Sequence, residues 1–172
     1  MRIAILGNSG SGKSTLAGWL SARSGAAQLA LDSVAWVPGQ IALAQSAEQA
    51  LAEVRSFCCT NDQWVVEGCY TGLIERALLL KPLLLFLNPG VDHCIANCQA
   101  RPWEPHKYQS KQEQDERLAY LLAWVREYYD RDGEMSLVAH RACFDSYTGR
   151  KQEVADVPCL DPPSLLALRW LN

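Results

Sequence analysis

Residues 2–6, Arg-Ile-Ala-Ile-Leu, form a short apolar run that stops at a glycine. Such a run suits a strand buried on both faces. A Gly/Ser-rich stretch, Gly7 to Gly12, follows it. Lys13 to Arg23 then reads as a helix with Leu16, Trp19 and Leu20 on one face, and Gly25 as its stop. Ala27 to Leu31 predicts a second strand ending at Asp32. Residues 33–45 read as a loop, and Ser46 as the cap of a helix to about Cys58 with Ala47, Ala50, Leu51, Val54 and Phe57 as its apolar positions. Trp64-Val65-Val66 predicts a third strand ending at Glu67-Gly68, and Thr71 to Leu80 a helix. Leu83 to Leu87 predicts a fourth strand ending at Asn88, and Val91 to Ala100 a helix. Residues 101–110 hold two prolines without periodicity and read as a loop. Gln112 to Tyr129 predicts the longest helix, a core helix with Leu118, Leu121, Leu122 and Val125 as its stripe. Beyond the break at Asp130 to Gly133, the pattern predicts a helix within 134–150, a fifth strand near Gln152 to Val157 and a helix over Pro162 to Leu171.

Strands that are apolar runs, alternating with helices, predict an α/β domain with a parallel sheet covered on both faces. No internal repeat or linker divides the 172 residues, so one domain is expected. With 49% apolar and 20% charged residues, disordered, collagen-like and low-complexity classes are excluded. A net charge of −3 argues against a nucleic-acid partner, which calls for a basic excess. The most apolar later segment, Ala77 to Leu87, is interrupted by Lys81-Pro82 and is too short for a bilayer. The first residues do not form a signal peptide, so a cytoplasmic location is expected. Seven cysteines, an odd number with no C-x-x-C spacing, then predict free core thiols rather than disulfides or a zinc set.

The decisive signal is Gly7-Asn8-Ser9-Gly10-Ser11-Gly12-Lys13-Ser14, which meets G-x-x-x-x-G-K-[ST] at every fixed position. It follows a predicted strand and opens a predicted helix, the context that gives the pattern meaning. Glycines let successive N–H groups curl inward toward phosphate oxygens, and the helix N-terminus adds partial positive charge. In this reading Lys13 reaches the β- and γ-phosphates, the Ser14 hydroxyl ligates Mg²⁺, and Thr15 supports the α-phosphate. The motif predicts nucleoside-triphosphate binding, with ATP as the expected substrate, and leaves the reaction open. No N-K-x-D segment follows a later strand, which argues against a GTPase. The fourth strand ends in Asn88 where ATPases of the AAA and transport types carry an acid. The acids at strand ends are Asp32 and Glu67. Acids there suit a small kinase, flanking Mg²⁺ and a phosphoryl acceptor.

These residues together resemble the adenylate-kinase-related P-loop kinases, a group near the nucleoside monophosphate, shikimate and gluconate kinases; some relatives go by the name topology-modulation protein. The resemblance rests on the loop, on Leu31-Asp32-Ser33-Val34-Ala35-Trp36, on Trp64-Val65-Val66-Glu67-Gly68-Cys69-Tyr70, on Arg101-Pro102-Trp103-Glu104-Pro105-His106-Lys107-Tyr108, and on the region from Ser136 through His140 and Phe144 to Lys151. It spans nearly the whole chain. It implies a three-layer P-loop fold with a five-stranded parallel sheet in the order 2-3-1-4-5, helices on both faces and a lid at about 101–112. The chain departs from adenylate kinases at Glu67-Gly68-Cys69-Tyr70, where those enzymes carry an arginine-bearing segment that grips the monophosphate, and it lacks a lid rich in paired arginines.

Within that frame Asp32 is a candidate base or Mg²⁺ ligand in the crevice beyond the sheet. Glu67 is a candidate for holding Mg²⁺ or the acceptor. Trp36, Gly68, Tyr70 and Arg76 are candidate acceptor contacts. Arg101 and Arg117 flank the lid and are candidates for stabilising the charge of the transferring phosphoryl group. Lys107 is a weaker candidate of the same kind, His106 reads as a surface residue, and His140 and Lys151 have no role that residue chemistry supplies. Lys13 reads as an exposed loop charge. Trp124, Tyr128 and Tyr129 add bulk beyond the stripe of the 112–129 helix, so a partner surface is the alternative to its reading as a core helix. The expected function is transfer of the γ-phosphoryl group of Mg-ATP to a small acceptor; the alternative is a nucleotide-binding regulator with little turnover. Two carboxylates near the acceptor favour a neutral or cationic molecule over a dianionic monophosphate. The acceptor's identity and the oligomeric state are left open.

Overall fold

The computed structural model describes residues 1–37, 43–103 and 109–156. The first strand, β1 (Arg2–Gly7), leads through the glycine loop into α1 (Lys13–Ser24), which stops at Gly25 in the left-handed region with its N–H on the Ser21 carbonyl. Then come β2 (Ala27–Ala30), a helical turn α2 (Asp32–Ala35), and α3 (Ala47–Thr60), capped by the Ser46 hydroxyl on the Gln49 N–H. They are followed by β3 (Trp64–Gly68), α4 (Thr71–Leu78), β4 (Leu83–Leu87) and α5 (Val91–Gln99). Next are α6 (Lys111–Glu127), α7 (Leu137–Ser146) and β5 (Lys151–Val154). The five strands form one parallel sheet in the order β2-β3-β1-β4-β5.

Register explains the unbroken apolar runs. Ile3 pairs with Val65 and Leu83, and Leu6 with Gly68 and Phe86. Successive side chains point to opposite faces, and both faces are covered. Ala4, Leu6, Val66, Leu84 and Phe86 pack with α3, α4 and α7 on one side. Ile3, Ile5, Val65, Leu85 and Leu87 pack with Leu16, Ala17 and Leu20 of α1 on the other. The edge strands are short, and β5 carries Lys151, Gln152 and Glu153, which discourages further pairing.

Four expectations need correction. Residues 33–45 are not simply a loop: Asp32–Ala35 is helical, and Trp36 bridges Ala44 in antiparallel fashion. The long helix α6 is not a core helix. Val125 is its only buried residue, while Leu121 and Leu122 pack partly against Cys94 and Cys98 of α5. Of Trp124, Tyr128 and Tyr129, Tyr128 is not surface bulk but is buried, while Trp124 stays exposed. Tyr128 is 1% exposed, the Tyr129 hydroxyl donates to Asn88 at 3.2 Å, and Arg131 stacks 3.6 Å above the Trp124 ring. Finally, Lys13 is buried, at 8% exposure. The fifth strand lies at Lys151–Val154, starting one residue before and ending three residues short of its expected span. The helix over 162–171, Cys159, and His106 and Lys107 of the lid lie outside the described residues. Among the described residues no helix is long and apolar enough to cross a membrane, and the cysteines Cys58, Cys59, Cys69, Cys94, Cys98 and Cys143 are all free, though Cys59 is exposed and not a core thiol.

Candidate functional site

β1 and β3 are neighbours, yet the helices that follow them lie on opposite faces, α1 on one and α4 on the other. A crevice opens at the carboxyl edge between two such strands. The glycine loop sits at that edge. Gly10 adopts φ of +79°, and a Cβ there would collide with the Cys94 carbonyl and lie 2.8 Å from the Cys98 sulfur. Only glycine permits both the turn and the close approach of α5. The Asn97 side chain donates to the Gly10 carbonyl at 2.8 Å. Asn8 holds the other end: its carboxamide oxygen accepts from the Ser9 N–H at 2.8 Å and its Nδ2 donates to the Val125 carbonyl at 3.1 Å. The loop is thereby tied to α5 and α6. No feature of the linear sequence signals these ties.

The Lys13 ammonium donates to the Asn8 carbonyl at 2.8 Å. The Ser11 hydroxyl is buried without a partner among the described residues. The Ser14 hydroxyl donates to Glu67 Oε1 at 2.9 Å. Glu67 lies at the end of β3, opposite Ile5 of β1, and is 4% exposed. A carboxylate that is buried and paired with a hydroxyl beside a phosphate-type loop is a hard-oxygen site.

A second cluster stands beside it. Ala30 pairs with Glu67, and the Leu31 N–H donates to the Glu67 carbonyl at 2.8 Å, which brings Asp32 to the same edge. A Cβ on Gly68 would lie 2.7 Å from that of Leu31, so glycine lets the two chain segments close up. The Tyr70 hydroxyl donates to Asp32 Oδ1 at 2.9 Å and accepts from Trp36 Nε1 at 2.8 Å. Burial first, and then the Asp32 charge, raises the Tyr70 pKa, so the phenol stays protonated. Asp32 and Trp36 are exposed; Tyr70 is buried. Two segments distant in sequence, 32–36 and the turn after β3, thus build one short polar wall that opens to solvent.

Other expected site residues are placed elsewhere. Arg76 lines a cleft between α3 and α4 with Arg55 and Cys59. Arg117 pairs with Glu113 one turn earlier on α6 at 3.2 Å and is 46% exposed. Arg101 follows α5, half-buried, with its N–H toward the Cys98 carbonyl. Thr15 is exposed at the start of α1. Lys151 donates to the carbonyls of Phe144 and Asp145, each at 2.8 Å, and so ties β5 to the end of α7.

His140 has a structural role that its residue type alone does not disclose. It is fully buried. Nε2 faces the Cys69 carbonyl at 2.8 Å and therefore donates; Nδ1, 2.8 Å from the Tyr128 hydroxyl, accepts. Burial lowers its pKa to about 4, although the hydrogen bond to Cys69 opposes the shift. The neutral ring joins the end of α6 to the turn that carries Tyr70.

The sheet order, the loop between β1 and α1 and the acids at the ends of β2 and β3 together define the P-loop kinase fold. No family model matches the chain, and no curated protein matches it. Solved structures do. A shikimate kinase from Bacteroides thetaiotaomicron superposes with a TM-score of 0.54 at 16% identity, covering 99% of this chain and 97% of that one. A sugar kinase from Janibacter sp. HTCC2649 gives a TM-score of 0.49 at 15% identity, covering 99% and 91%. A deoxyadenosine kinase from M. mycoides with bound dATP gives 0.47 at 12%, covering all of both chains. At 16% identity the likeness to the shikimate kinase is one of fold.

Proposed function

We propose that the protein is a kinase that transfers the γ-phosphoryl group of Mg-ATP to the hydroxyl of a small neutral or cationic acceptor. The observation that carries this reading is the Ser14–Glu67 contact of 2.9 Å at the mouth of the glycine loop, beside the Asp32–Tyr70–Trp36 wall.

The residues present fit the groups the reaction requires. The loop is a cradle that side chains would fill, and the buried, unpartnered Ser11 hydroxyl suits a phosphate oxygen. Among the described residues no three His, Cys, Asp or Glu side chains gather around a metal site. A Mg²⁺ ion would therefore rest on Ser14, on Glu67 directly or through water, and on phosphate oxygens, the usual composition of such sites. When bound, Mg²⁺ neutralises the charge of the phosphate chain.

In this reading the loop N–H groups of Gly7 to Thr15 and the Lys13 ammonium hold the phosphates. Asp32 accepts the proton of the acceptor hydroxyl as that oxygen bonds to the γ-phosphorus and the bond to the bridging oxygen of ADP breaks. Tyr70 keeps Asp32 oriented and, with Trp36, lines the acceptor's side. Gly68 leaves room for the approach. Arg101 and Arg117 are the cations assigned to the charge of the transferring group. In this reading the carboxylates Asp32 and Glu67 stand on the acceptor's side, and Arg76 lines the cleft beside α3 instead of this wall. A dianionic monophosphate would be repelled.

The test is ADP formation from Mg-ATP against a panel of sugars, hydroxy acids, amino alcohols and nucleotides. Turnover with a hydroxyl acceptor but not with AMP, abolished by Lys13→Ala, is the expected result. Robust ADP formation from ATP and AMP, lost in Arg76→Ala, would establish a nucleotide kinase instead. Tight ATP binding without turnover on any acceptor would identify a nucleotide-binding regulator.

A further inference from the structure

Away from the crevice, one face of α3 and Arg76 of α4 border an open cleft of about 550 Å³. None of its lining residues belongs to the glycine loop or to the Glu67 and Asp32 clusters. Two arginines line it, Arg55 from α3 and Arg76 from α4. Arg76 Nε is buried with no hydrogen-bond partner among the described residues. A guanidinium nitrogen removed from water and left unpaired costs free energy that a bound anion would offset. Most native buried polar atoms are satisfied, so an exception needs an explanation.

The rest of the lining specifies the ligand further. Leu51 offers an apolar wall, and the Ser56 side chain is a hydroxyl donor. Glu48 is the only carboxylate in the lining, so two guanidinium groups against one acid leave the cleft positive. Guanidinium groups recognise planar or tetrahedral oxyanions through paired N–H donors.

We propose that this cleft is a second binding site, for a small organic anion that places a phosphate or carboxylate between Arg55 and Arg76 and an apolar body against Leu51. The site is separate from the phosphoryl-transfer crevice. An anion bridging α3 and α4 would hold together the two helices that lead into and out of β3, the strand that ends in Glu67.

Cys59 supplies a local reporter. It lines the cleft, and it is the exposed cysteine among the described residues; Cys58, Cys69, Cys94, Cys98 and Cys143 are buried. Alkylation of Cys59 is followed by peptide mass spectrometry in the Lys13→Ala protein, so that anion binding at the glycine loop does not compete. Phenyl phosphate and benzoate are the two probes, and no turnover is needed. Saturable protection of Cys59 by phenyl phosphate alone assigns a phosphate ligand; protection by benzoate alone assigns a carboxylate; protection by both assigns an oxyanion of either kind. Arg76→Gln and Arg55→Gln should each weaken that protection by about tenfold, the loss of one charge-assisted contact. Circular dichroism confirms that each variant is folded. If neither probe slows alkylation, or if protection survives both substitutions, the cleft is not an anion site. That outcome leaves the kinase reading intact, because the crevice plays no part in the measurement.

Discussion

Two tyrosine-centred hydrogen-bond systems meet at the turn after β3. In one, Tyr70 joins Trp36 to Asp32, and both partners reach solvent. In the other, Tyr128 and His140 close onto the Cys69 carbonyl with 1% and 0% exposure. Both use a phenol and a second ring. Burial separates their roles. A polar network with wet ends can exchange a partner for substrate at little cost, whereas one sealed in a low-dielectric core loses the full desolvation free energy of any group left unpaired. The buried network holds the turn in place, and the open one is available for chemistry.

The comparison breaks most visibly at Lys13. Lys13→Ala should reduce kcat/KM by about 10³-fold, as for loss of a preorganised charge at a transferring phosphoryl group. The Asn8 carbonyl it leaves still accepts from the Ser11 N–H at 3.2 Å, so stability should change by about 1 kcal/mol or less. Chemical denaturation beside the kinetics checks both. A collapse of stability would place Lys13 with the structural residues.

His140→Ala should show the opposite pattern. It strands the Tyr128 hydroxyl and the Cys69 carbonyl and opens a cavity, a loss of about 3 kcal/mol. The pH dependence follows from the lowered pKa. The folded protein keeps His140 neutral down to about pH 4, while the unfolded chain protonates it near its ordinary value of 6.5. Its contribution is therefore complete above that ordinary value and is lost as pH falls toward 4, with a limiting slope of about 1.4 kcal/mol per pH unit. His140→Gln should flatten this segment of the stability curve, measured by urea melts at several pH values.

Glu67→Gln keeps an acceptor for the Ser14 hydroxyl and removes the charge. Activity should fall by about 10²-fold and require more Mg²⁺, with the melting temperature little altered. An unchanged Mg²⁺ titration would remove Glu67 from the metal site. The smallest effects sharpen the contrast between the tyrosines. Tyr128→Phe leaves His140 Nδ1 without a donor and should cost about 1–3 kcal/mol. Tyr70→Phe frees groups that water can reach, so stability should change by less than about 1 kcal/mol while turnover drops by about tenfold. Equal stability losses in the two would erase the distinction drawn between them.

Contiguous features were legible from the sequence. The loop Gly7 to Ser14, the strand runs and the caps at Ser46 and Gly25 depend on backbone geometry and on period, both of which are local properties. Glu67 and Asp32 were visible as acids at strand ends because a parallel sheet aligns those ends on one edge. What no local pattern carries is which distant side chains meet there. Arg76 was expected among the acceptor contacts from its nearness in sequence to Tyr70, yet six residues along α4 the helix has carried it to the cleft with α3. Lys13 reads as an exposed charge because its sequence neighbours are small and polar; packing of the loop against α5 and α6 buries it. Trp124 and Tyr128 look like surplus aromatic bulk until Arg131 stacks on one and His140 hydrogen-bonds the other.

An α/β phosphate-loop domain with acids at two strand ends is readable from the residue order, because those traits follow from short-range steric and hydrophobic rules. Folding in three dimensions is what makes Ser14 meet Glu67 and Tyr70 meet Asp32, lets His140 pin the turn and puts Arg55 and Arg76 in one cleft. Each of those contacts joins residues far apart in sequence or on different elements, and its existence depends on strand register and helix packing rather than on the identity of its neighbours in the chain.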